Sequence, residues 1–98
     1  MERKFHDPRL EAIYRWTRRD NIHPDVIKTF RRRIQYLALA PSFTDIANHP
    51  GLYLEKLKGD RKGQYSIRLN DQWRLIFALL ETGEVQALDI LELSKHYE

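Results

Sequence analysis

Two arginines set into otherwise apolar stretches are the first residues with chemistry to offer. Tyr65, Ile67 and Leu69 alternate with Gln64, Ser66 and Arg68, while Trp73, Leu75, Phe77 and Leu79 alternate with Arg74, Ile76 and Ala78. Alternation at period two marks two strands, each with one apolar face. A two-residue turn at Asn70-Asp71 would set Arg68 opposite Trp73 and mix the faces. A three-residue loop, Asn70–Gln72, instead pairs Leu69 with Trp73 and Ile67 with Leu75. The longer loop is expected, and it places Arg68 directly across from Arg74 on the face away from the core. Like charges so placed destabilise one another by ~0.2–1 kcal/mol. An anion held between them relieves the repulsion, since a guanidinium grips phosphate oxygens in pairs.

Further cations flank this hairpin. Lys58 and Arg61 belong to the turn Lys58–Gly63 that precedes it, where an exposed lysine is ordinary. Arg31-Arg32-Arg33, with Lys28, form a basic run that is usually a solvated helix surface. In the functional reading, Arg31 and Arg32 contact the phosphates of an anionic partner without reading sequence. Trp73 shares its face with Leu75 and Phe77, so it is assigned to packing rather than to base stacking. His6, His23 and His49 have neither metal-ligand spacing nor paired partners, and Asp60, Asp71, Asp89 and Glu92 lack the grouping of a metal-dependent nuclease. No glycine-rich phosphate loop or zinc motif is present, and no cofactor or metal is expected.

The elements that must position these side chains follow from periodicity and punctuation. Lys4-Phe5 suits a short first strand. Asp7-Pro8 reads as a helix N-cap followed by proline at the first helical position, with Leu10, Ile13, Tyr14 and Thr17 along one face. Pro24-Asp25 starts a second helix, whose stripe of Val26, Ile27, Phe30, Ile34 and Leu37 runs to about Ala40, where Pro41 stops it. The two are expected to form a helical hairpin. A loop follows, with a turn of helix near Phe43 to Ala47. The period then changes to two, giving strands at Tyr53–Leu57, Gln64–Leu69, Gln72–Leu80 and Val85–Leu93. Helices first and a meander after imply an α+β fold, the hairpin covering one face of a mainly antiparallel sheet.

Composition bounds the class. The 98 residues make one domain, 1–98, with a single modest core. A 42% hydrophobic content and normal aromatic usage exclude a disordered chain. Seventeen Lys plus Arg against fourteen Asp plus Glu give a net charge of only +3, so clustering of the cations, rather than their total, favours anionic partners. The absence of cysteine removes disulfides, thiolate metal sites and a thiol nucleophile. No apolar run approaches the roughly 20 residues of a membrane span, and no signal-like stretch follows Met1-Glu2-Arg3-Lys4, so a cytoplasmic location without membrane partners is expected.

The stretch Leu57-Lys58-Gly59-Asp60-Arg61-Lys62-Gly63, followed by Tyr65-Ser66-Ile67-Arg68-Leu69-Asn70-Asp71-Gln72-Trp73-Arg74-Leu75-Ile76-Phe77, resembles the signature of HigB-type toxins in the RelE/ParE superfamily. The likeness spans roughly residues 52–80 and implies a RelE-like fold. It also implies a ribosome-dependent messenger-RNA endoribonuclease acting without metal, the ribose 2′-hydroxyl attacking the adjacent phosphate. On this reading Lys58 and Arg74 match positions assigned to catalysis, and Arg61 and Arg68 hold phosphate. Many such toxins carry a histidine where Glu55 stands, and end their last strand with Asp-Tyr-His where Glu92-Leu93-Ser94 stand. His96-Tyr97 follow two or three residues later and are the groups expected to handle protons. The implied partners are the ribosome, its message, and a cognate helix-turn-helix antitoxin of the HigA type. The altered C-terminus keeps two alternatives open: a ParE-like inhibitor of DNA gyrase without nuclease activity, and a catalytically decayed antitoxin-binding module.

Overall fold

A computed structural model describes residues 1–82 and 85–95 of the chain. Helix α1 spans Pro8–Tyr14 and starts as the sequence predicts: Asp7 is extended, and its side chain accepts the Leu10 N–H at 3.1 Å. It stops short of Thr17, because Trp16 turns into the left-handed region at φ 66° and breaks the spiral. Thr17 stands exposed, its hydroxyl donating to the Ala12 carbonyl. Helix α2 spans Pro24–Leu39, capped by His23, whose Nδ1 accepts the Asp25 N–H at 3.1 Å. Its expected stripe of Val26, Ile27, Phe30, Ile34 and Leu37 is the buried one. A short helix α3, Phe43–Ala47, occupies the following loop and buries Ile46.

The sheet has five strands in the order β1-β5-β4-β3-β2. These are β1 (Glu2–Phe5), β2 (Glu55–Lys56), β3 (Gln64–Arg68), β4 (Trp73–Thr82) and β5 (Val85–Lys95). Strand β1 runs parallel to β5 and all other pairs are antiparallel, so the sheet is mixed. The β3–β4 register is the one the alternation demands, with Ile67 opposite Leu75 and Arg68 opposite Arg74. The Asn70 side chain closes the connecting loop by accepting the N–H groups of Gln72 and Trp73, both at 2.8 Å. Strand β2 is shorter than its alternation suggests. Tyr53, at φ 49°, ends a 3₁₀ turn at Pro50–Leu52 and cannot join the extended run. Leu57 still donates its N–H to the Gln64 carbonyl at 2.9 Å.

Strand β5 carries a bulge that the sequence does not announce. Phe77 faces Ile90, yet Ile76 faces Glu92, so Leu91 has no opposite number. Continued in phase, the ladder would turn Glu92 into the core beside Leu75. The extra residue instead returns Leu93 to the core face opposite Leu75, and brings Glu92 and Ser94 to the other face.

The helices pack on one face of the sheet. Phe30, Ile34 and Leu37 from α2 meet Ile67, Leu75, Phe77, Leu88 and Ile90 from the strands in one buried cluster, with Leu10 and Ile13 of α1. Trp73 packs against its edge, in keeping with its assignment to packing. The opposite sheet face carries no helix among the described residues. No helix of these residues is long and apolar enough to cross a membrane.

Candidate active site

The bare sheet face holds a cleft of about 190 Å³ lined by Glu55, Leu57, Arg61, Ser66, Arg74, Ile76 and Ser94. Four strands build it by register. Glu55 on β2 faces Ser66 on β3, Ser66 faces Ile76 on β4, and Ile76 faces Glu92 on β5. The next row is Arg68, Arg74 and Ser94. Both β5 members of these rows are there because of the bulge at Leu91. Arg61 arrives from a 3₁₀ turn at Gly59–Arg61, bracketed by Gly59 at φ 64° and Gly63 at φ 90°, a backbone that side-chain-bearing residues adopt only with strain.

The charges in the cleft are unevenly matched. Arg61 donates to the Glu92 carboxylate, closing an ion pair between the turn and β5. Arg74 Nη1 and Arg68 Nε are shielded from solvent and have no acceptor among the described residues. Unmet donors of this kind destabilise a fold by about 1–3 kcal/mol each, less where the rest of the group is wet. The Arg68 guanidinium lies 4.4 Å from the centre of the Tyr53 ring, and its carbonyl accepts from Arg33 Nε at 3.4 Å. A dianionic group placed against Arg74 would supply acceptors that the described residues do not. Among the described residues no three His, Asp or Glu side chains are gathered as metal ligands.

Of the residues singled out in the sequence, the fold brings Arg61 and Arg74 together in the cleft and sets Arg68 beside it. Lys58 is exposed, extended at φ −122°, and sits in the chain between Leu57 and Arg61 without lining the cleft itself. Arg31 and Arg32 belong to the helical layer on the far side of the sheet. Arg31 lies over the rings of Tyr14 at 4.7 Å and Trp16 at 5.8 Å, and donates to the Tyr14 carbonyl. It joins α2 to α1. Arg32 stands exposed on α2. His96 and Tyr97 lie outside the described residues. Sequence reasoning assigned no role to Ser66, Ser94 or Tyr53. Glu55 and Ser94 were visible only as departures from the toxin signature.

Solved structures share this architecture. The YoeB/ParE toxin from Agrobacterium tumefaciens superposes with a TM-score of 0.67 at 20% identity, covering 99% of this chain and 100% of that one. A YoeB-YefM complex from Staphylococcus aureus gives 0.56 at 23% identity, covering 99% and 98%. A helical layer on a mixed five-stranded sheet, with cations on the bare face, thus defines a protein of RelE-like build. A family model described as the RelE-like toxin of type II toxin-antitoxin system HigB matches residues 3–92. Toxin HigB-1 of Vibrio cholerae serotype O1 is 37% identical over 78 residues, 79% of this chain and 82% of that protein. The chain belongs to the HigB-like family and is a toxin of a type II toxin–antitoxin system.

Proposed function

We propose that this toxin is a ribosome-dependent messenger-RNA endoribonuclease that halts translation, and that its cleft holds the scissile phosphate. The observation that carries the reading is Arg74: a cation in the floor of an open cleft, opposed by Arg68 and holding a nitrogen without an acceptor among the described residues. Arg61 and Arg68 add charge on either side, and Lys58 stands on the neighbouring turn. Positive groups fixed around a phosphate stabilise the phosphorane more than the ground state, because negative charge grows in the transition state.

The reaction needs no metal. The ribose 2′-oxygen attacks phosphorus, its proton passes to a base, and the bond to the 5′-oxygen breaks, leaving a cyclic phosphate. Two carboxylates border the cleft among the described residues, and Glu92 is engaged by Arg61. Glu55 is therefore the proton acceptor offered among the described residues, at the place where many relatives of the signature carry histidine. His96 and Tyr97 follow β5 directly beyond Lys95 and are the groups proposed to return a proton to the leaving oxygen. The partners in this reading are the ribosome, its message, and a helix-turn-helix antitoxin of the HigA type that neutralises the toxin, in the cytoplasm.

Purified protein added to translating ribosomes should create new message ends in the ribosomal A site, read by primer extension. Arg74→Ala should abolish both these ends and growth arrest while the protein still folds. Intact message together with gyrase-dependent DNA breaks would overturn the nuclease reading in favour of a gyrase inhibitor. Tight antitoxin binding with neither effect would mark a decayed toxin.

A further inference from the structure

Tyr53 is placed in a way that folding alone does not reward. Its φ of 49° and ψ of 52° are left-handed, a conformation that residues bearing a Cβ adopt at a cost and that glycine or asparagine usually supplies at the end of a helical turn. The residue is incompletely buried in return, for it stays 55% exposed and stands outside the core. Backbone strain spent to hold an aromatic ring in solvent points to a binding role. The Arg68 guanidinium covers the ring, 4.4 Å from its centre.

The location is equally specific. Two residues beyond Tyr53, Glu55 enters the cleft, and Arg68 is the direct cross-strand partner of Arg74. The order across the bare face is therefore Tyr53, Arg68, Arg74, with the stacked pair at the border of the cleft. Cross-strand neighbours lie about 5 Å apart, so a single side chain, that of Arg68, separates the ring from Arg74. We infer that Tyr53, backed by Arg68, is a stacking platform for the nucleobase next to the scissile phosphate. The inference rests on the endoribonuclease reading and adds to it a residue that binds substrate without touching the reacting atoms.

The chemistry of the occupant follows from the platform. An aromatic face offers no donors or acceptors in the plane of a base, so it takes any of the four bases of a single-stranded segment and discriminates weakly among them. A guanidinium on the opposite face of the ring polarises the stack and holds the ring at a fixed tilt. The platform thus contributes affinity for an unpaired codon nucleotide, while codon choice is left to other groups.

Glycine at this position separates a binding role from a structural one, because the two move stability and binding in opposite senses. Tyr53→Gly relieves the left-handed backbone and should leave Tm equal to or above that of the parent. Tyr53→Gly and Tyr53→Ala should weaken half-saturation for messages on programmed ribosomes by roughly 5- to 150-fold, with the maximal single-turnover cleavage rate little changed. Tyr53→Phe and Tyr53→Trp should restore tight binding. Unchanged half-saturation in the glycine variant, or a loss of Tm in it that parallels the loss of binding, would overturn the platform. A parent protein that neither engages nor cuts message on ribosomes would remove the endoribonuclease reading itself, and the platform with it. A parent that cuts while the Tyr53 variants bind equally well removes the platform alone.

Discussion

Replacing Arg74 with methionine should make the protein more stable and inactive at once. Methionine keeps the length and most of the apolar stem of the side chain while removing its charge. In the folded chain Arg74 faces Arg68 across the β3–β4 ladder, a like-charge pairing that destabilises by ~0.2–1 kcal/mol. Its Nη1 is a shielded donor without an acceptor among the described residues, a further penalty of about 1–3 kcal/mol when burial is complete. Arg74 also lines an open cleft, so solvent screens part of both terms. A net gain of about 1–2 kcal/mol is expected, taking the lower part of these ranges. For a domain near 100 residues each kcal/mol moves Tm by roughly 4–8 °C, so Arg74→Met should melt about 4–16 °C higher. Circular dichroism melts in a buffer free of phosphate measure this directly. Added inorganic phosphate should raise the parental Tm more than that of the variant, which keeps Arg61 and Arg68 but has lost the cation in the cleft floor. Message cleavage should fall by at least about 100-fold, the usual effect of removing one group aimed at developing charge. A variant that melts lower than the parent, or that still cuts, would refute the idea that the Arg68–Arg74 pair is held under repulsion for the sake of a bound phosphate.

Other outcomes follow from the same geometry. Arg31→Ala should lower stability by about 1–2 kcal/mol, through loss of the hydrogen bond to the Tyr14 carbonyl and of stacking on Tyr14 and Trp16, as read in a urea titration. The maximal cleavage rate should be unchanged, and a large fall in it would return Arg31 to the RNA interface. Glu92→Gln frees Arg61 from its ion pair and should tighten binding of message a few-fold at low salt, with little change in Tm because the pair is well exposed. Weaker binding would show instead that the pair organises the cleft. His23→Ala removes the cap of α2 and should cost about 0.5–2 kcal/mol of stability, most of it recovered in His23→Asn; equal melting of the alanine and asparagine variants would discount the cap.

How much of this could be read from the chain depended on whether a residue's position was fixed by local pattern or by distant partners. The Arg68–Arg74 pairing was legible because both flanking strands have one apolar face, and only one loop length keeps those faces together. Helix α2 was legible for the same reason, its stripe and its proline boundaries agreeing. Arg31 could not be placed, since its engagement with Tyr14 and Trp16 exists only once α1 lies beside α2. Strand β1 showed itself as two residues, but nothing in a four-residue strand names a parallel partner at the far end of the chain. Tyr53 looked like a strand residue because aromatic residues favour strands, and no local signal marks a left-handed tyrosine. The cleft-lining role of Ser94 was hidden by the bulge. Leu91 and Leu93 are both apolar, so alternation gives no hint of which one is the extra residue.

That single unmatched leucine divides β5 into two halves of opposite phase. Before Leu91, the odd and even positions of the strand are assigned by the need to seal Leu88 and Ile90 under the helices. After it the assignment is inverted, and Glu92 and Ser94 are free to vary with the chemistry of the cleft while Leu93 keeps the seal. Exchange of these outward residues therefore leaves the hydrophobic zipper undisturbed. Gain or loss of one residue at Leu91 would swap inside for outside along the whole cleft end of the strand. Such a hinge in the reading frame of the pleat tolerates exchange of the outward residues beyond it, yet is intolerant of any change in length there.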